Sequence, residues 1–185
     1  MNKKLYTRNY EIRHIPLPNG AEREEVVYKG EYYCLSWSPR QKKTTRLVSS
    51  ALIALSYAVF AAAGFLNNAG SRQYYVLLPF LCTSFPLIFE GFAIFRLWFS
   101  SDKMPIDVFH NSLLRLRKSS AAAAIFSGLG TVGEMVFLII NTANCALDEL
   151  LMLMAAATIC LDNLAVFFII HRVAYRVVPN KNESN

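Results

Sequence analysis

Four stretches of this chain are apolar over about 20 residues each, the length a helix needs to cross a hydrocarbon core. They run over residues 47–67, 74–99, 121–140 and 150–170. Packed into 185 residues, they leave little chain for anything else. A buried helix of a soluble domain is usually shorter and keeps a polar stripe. Charge is scarce as well: 17% of residues here, against about 25% in a typical soluble domain. The expected fold is an all-α membrane protein, a four-helix transmembrane bundle over residues 46–176.

The basic residues alternate between links. Ten Lys and Arg residues precede the first stretch, among them Arg40, Lys42, Lys43 and Arg46. Link 68–73 has only Arg72, and link 141–149 has no Lys or Arg. The link between the second and third stretches holds Lys103, Arg115, Arg117 and Lys118, with Arg96 just inside the second stretch. The tail adds Arg172, Arg176 and Lys181. Basic loops stay on the cytoplasmic side. The pattern therefore predicts both termini inside and a multi-pass protein of the cell membrane. The net charge of +6 is spread along these borders and calls for no nucleic acid. Residues 1–15 lack the apolar core of a secretory signal peptide, so targeting is expected from the first span.

Residues 1–45 read as a small extended or β segment on the cytoplasmic side. Strands are expected near 6–15, 25–28 and 31–35, with a turn at 16–20 and a tight hairpin turn at Lys29-Gly30. Such a unit is marginal alone and should pack on its surroundings. Between spans two and three, Ile106, Phe109, Leu113 and Leu116 share one helical face, and Asp107, Asn111, Arg115 and Lys118 another. Pro105 suits a first helical position. An amphipathic interfacial helix is expected there; the alternative is the start of a longer third helix. Residues 177–185 form a cytoplasmic tail.

Ionisable groups inside spans are expensive, and each is a functional-site candidate. Span two contains Glu90, span three Glu134, and span four Asp162 beside Asn163. At 1.5 Å per residue, Glu90 and Asp162 lie roughly 12–14 Å above the cytoplasmic edge, and Glu134 about 20 Å. Glu90 and Asp162 are thus expected as neighbours. Thr158 stands one turn before Asp162. Pro79, Thr83, Pro86 and Glu90 share a face of span two, and each proline frees a carbonyl and bends the helix. Three readings stay open: neutral carboxyls bonded to a neighbouring helix, a proton or cation path, and contact with a basic residue of a partner.

Catalysis has no positive signal. The three histidines, His14, His110 and His171, show no metal-ligand spacing, and none of the four cysteines forms a C-x-x-C pair. Gly128-Leu-Gly130-Thr-Val-Gly133 matches a nucleotide fingerprint only formally, because it sits inside a span without a preceding strand. Its glycines are expected to pack helices. No cofactor or metal is expected. The expected function is a non-enzymatic membrane subunit or scaffold, in the lipid bilayer, acting through a protein partner or as a homo-oligomer. The alternative is a small proton- or cation-coupled transporter or channel.

Overall fold

The computed structural model describes residues 9–16, 22–141 and 147–179. Four helices dominate it: α1 (Pro39–Ala63), α2 (Tyr74–Trp98), α3 (Ile106–Ile140) and α4 (Leu147–His171). Each is long and apolar enough to cross a membrane. α3 packs along both α2 and α4, α1 lies along α4, and α1 touches α2 less extensively.

α1 starts well before the first apolar stretch. The Ser38 hydroxyl accepts from the Gln41 amide at 3.2 Å, and Gln41 Oε1 accepts from the Ser38 amide at 3.1 Å. This reciprocal box satisfies two end groups, and Pro39 follows at the first helical position. The basic residues Arg40 to Arg46 thus form the first two turns of a helix rather than the end of an extended segment. Arg46 is buried, and its guanidinium donates to the Trp98 and Ser100 carbonyls at 3.1 and 2.8 Å. A cation there meets the negative end of α2.

Three distant segments meet at this end of the bundle. β3 (Tyr32–Leu35) is the middle strand of an antiparallel sheet, between β4 (Lys103–Pro105) and β5 (Tyr175–Val178). Tyr33 lies opposite both Met104 and Val177. Its ring stacks on Phe109 at 4.4 Å, and Tyr175 closes on Phe109 at 4.8 Å. Leu35, Met104, Phe109, Leu113, Leu97 and Val166 form one apolar core beneath the sheet. Val76, Phe80, Met152 and Ile159 form a second near the opposite end.

Two expectations change here. Lys29-Gly30 is not a hairpin turn: β2 (Glu22–Tyr28) pairs with β1 (Tyr10–Pro16), and β3 leaves for the other sheet. The tyrosines explain the choice. The Tyr28 oxygen accepts from the Ile106 amide at 3.0 Å, and its hydroxyl donates to the Glu31 carbonyl at 2.8 Å. Tyr10 donates to Asp107 at 3.0 Å. Burial pushes the Tyr28 hydroxyl above its ordinary value, so it stays neutral and can both donate and accept. The expected turn at 16–20 lies mostly outside the described residues, as do Cys145 and the tail beyond 179.

The segment expected as a separate interfacial helix is the beginning of α3. It runs as Ile106–Phe109, a π turn His110–Leu114, and Arg115–Ile140 without a break. No glycine or proline falls between Pro105 and Gly128, and the π turn absorbs the change of face while keeping the backbone bonded. Its apolar face is spent on the core beneath the sheet. α4 ends at His171, and Tyr175 opens β5.

α2 and α3 approach closely at Gly133. A Cβ there would fall 2.6 Å from the Tyr75 carbonyl oxygen. That carbonyl is the one Pro79 frees from the helix ladder. Gly128 differs, since a Cβ there would meet only Cys160 Sγ at 3.5 Å. Gly133→Ala should therefore destabilise the detergent-solubilised protein by about 1–3 kcal/mol, while Gly128→Ala should be neutral or slightly stabilising. Thermal unfolding of the two variants checks this, and equal midpoints would refute the close approach.

Candidate functional site

The bundle is apolar outside and buries carboxyl, hydroxyl and amide side chains among its apolar cores. Phe92, Leu161 and Ile139 are 63%, 66% and 72% exposed, whereas Glu90 and Glu134 are 0% exposed. Thr83, Ser120, Ser127 and Asn163 are buried with them. In water this order costs free energy at both surfaces.

The hydroxyls look after themselves. Thr83 donates to the Pro79 carbonyl at 3.0 Å, Ser120 to Leu116 at 2.8 Å and Ser127 to Ala123 at 2.7 Å. Thr158 donates to Met154 at 2.8 Å and not to Asp162. Each bond stays within one helix, so these side chains neither bridge helices nor serve the carboxyls. Pro79 and Pro86 both lie inside α2, which continues through them.

Asp162 and Asn163 join α4 to α1. The Ser56 hydroxyl donates to Asp162 Oδ2 at 3.4 Å, and Asn163 Nδ2 donates to Ser56 Oγ at 3.3 Å and to the Ile159 carbonyl at 2.9 Å. Glu90 is elsewhere. Both its oxygens are buried without a hydrogen-bond partner among the described residues. The Tyr57 hydroxyl of α1 donates to the Leu87 carbonyl at 2.6 Å and not to Glu90. No hydrogen bond described joins Glu90 to Asp162. Similar depth does not make them neighbours, because Asp162 turns to α1. Arg96 is exposed on α2 and so does not reach the buried Glu90.

Glu134 does find a carboxyl. It and Glu149, in the first turn of α4, both lie against Gly70. Glu149 also accepts from the Ala69 amide at 2.6 Å, the Gly70 amide at 3.2 Å and Asn68 Nδ2 at 3.3 Å. The loop between α1 and α2 is thereby fastened to the start of α4, where the helix dipole favours an anion. Gly70 lies against Glu134, since a Cβ there would fall 2.5 Å from its Oε2. Neither oxygen of Glu134 has a hydrogen-bond partner among the described residues. Two carboxyls this close hold a proton or a cation between them, or repel.

Glu149 is absent from the site expected from sequence, because it falls in the link before the fourth stretch. The signal was Asp148-Glu149 at a helix start. Among the described residues, no group of three or more His, Cys, Asp or Glu side chains forms a metal cage. Comparison with known proteins finds no matching family model, no matching curated protein and no matching solved structure.

If Glu149 is the fastening, Glu149→Ala should lower stability by about 1.5–3 kcal/mol, the range for hydrogen bonds to a charged group. Thr158→Val removes only a bond within one helix and should stay within about 0.5 kcal/mol. Unfolding of both variants in detergent checks the difference; equal losses would contradict this account of the loop.

Proposed function

We propose that this chain is a non-enzymatic, multi-pass membrane subunit or scaffold. In this reading its termini face the cytoplasm and it works through a protein partner or as a homo-oligomer. One observation carries it. Two surface cavities, of about 530 and 520 Å³, open on the sides of the bundle, and neither is lined by Glu90, Glu134 or Asp162. Asp162 and Glu149 are bonded to hydroxyl, amide and backbone groups of neighbouring segments. Carboxyls used in this way hold helices together. The alternating basic links support the orientation.

The β1–β2 hairpin supports a partner. Ile12 and Val26 are cross-strand neighbours, 58% and 57% exposed. Among the described residues the two strands pair only with each other. An apolar pair on a strand with an open edge is a usual place for another chain to add.

A second reading, a proton- or cation-coupled transporter or channel, draws on the unpartnered Glu90 and on the Glu134–Glu149 pair. Purified protein in liposomes under a pH gradient separates the two. The scaffold reading predicts ion flux no greater than in empty liposomes. It also predicts a cross-linked assembly in native membranes that dissociates on Ile12→Asp with Val26→Asp. Flux abolished by Glu90→Gln would overturn it in favour of transport.

A further inference from the structure

The 530 Å³ cavity lies between α2 and the sheet-end half of α3. Its two walls differ in chemistry. Phe85, Pro86 and Phe89 supply the α2 wall, which is wholly apolar. The α3 wall is graded. His110, Asn111, Arg115 and Lys118 line it near the sheet, and Ala122 lines it about two turns deeper. None of the lining residues is acidic. Arg115 and Lys118 are three residues apart, so their side chains leave the helix on one face. The Arg115 guanidinium lies over the Phe89 ring, 5.7 Å from its centroid, which holds the charge above the aromatic face.

The neighbouring surface says what arrives there. Phe85 and Phe89 are 65% and 49% exposed, and they face outward from the bundle. A soluble anion would use the cations and gain nothing from Phe85, Pro86 and Ala122. A neutral lipid would use the apolar wall and leave two cations without a counter-charge. An anionic phospholipid uses both. The volume falls within the range of about 300–1,000 Å³ typical of small-molecule sites.

We propose that this groove binds one anionic phospholipid. Its phosphate lies against Arg115 and Lys118, and the first part of an acyl chain runs along Phe85, Pro86 and Ala122. The proposal rests on the membrane reading above and adds to it a specific lipid site. Arg117, between the two cations in sequence, points elsewhere: its guanidinium lies over Phe167 of α4, 5.7 Å from the ring centroid. It therefore serves as a control.

The test is native mass spectrometry of the full chain in non-ionic detergent, titrated with phosphatidylglycerol or phosphatidylcholine of identical chains. Wild type should retain phosphatidylglycerol about thirtyfold better, the effect expected of two cations near a headgroup. Arg115→Gln with Lys118→Gln should abolish that preference, and Arg117→Gln should keep it. A photoactivatable phosphatidylglycerol should label wild type within residues 85–89 and 114–122, which keeps the proposal testable if the double variant fails to fold. Equal retention of the two lipids, an unchanged preference in the double variant, or adducts confined to other segments would overturn it. Displacement by a large excess of inorganic phosphate would reassign the groove to a free anion and also overturn it. A chain soluble without detergent would instead defeat the membrane reading, before any lipid is added.

Discussion

Every other feature depends on where the polar groups are. A peptide group with no water nearby must find its partner within the protein. The four long helices meet that demand for their own backbones, which frees the outer surface to be apolar along their length. The inner surface then becomes the only place for side chains such as Glu90, Glu134 and Asn163. Hydrocarbon tolerates this order and water does not. The hydroxyls of Thr83, Ser120, Ser127 and Thr158 follow the rule, closing back onto carbonyls of their own helices.

Apolar surfaces do not drive helices together in lipid, so the bundle needs other fasteners. Each end has one. At the sheet end, β3 gathers β4 and β5, and Arg46 ties α1 to the carbonyl end of α2. At the other end, Glu149 holds the α1–α2 loop. Between them, Gly133 lets α3 approach the α2 backbone, and Ser56 links α1 to α4. α1 and α2 are held to each other more by bonds than by packing. Trp98 Nε1 donates to Ser50 at 2.7 Å, and Tyr57 donates to the Leu87 carbonyl. Asp162 and Glu149 contribute to that fastening through their bonds to Ser56 and to the α1–α2 loop.

The long apolar stretches were legible because their period and length are local properties. The sheet was not. β4 is three residues long and β5 four, and both are paired by a strand far away in the sequence. Lys29-Gly30 has the look of a turn, but the tyrosine contacts to Ile106 and Asp107 decide the pairing. For the site, burial of Glu90, Glu134 and Asp162 could be read from their place in apolar stretches. Their partners could not, since depth along a helix says nothing about direction around it. Asp162 faces α1, and Glu134 pairs with a residue that hydropathy assigned to a link. Ser38-Pro39 was a readable helix start, obscured by the basic residues after it.

Insertion of the four helices into lipid is the central claim, and single cysteines report it most directly. In a cysteine-free background, Gln73→Cys, Leu129→Cys and Ser101→Cys place a thiol in the α1–α2 loop, on the outer face of α3, and in the α2–α3 link at the sheet end. With a membrane-impermeant maleimide, the account predicts labelling at 73 in intact cells, at 101 only after permeabilisation, and none at 129 in either case. Ready labelling at 129 in native membranes would contradict it.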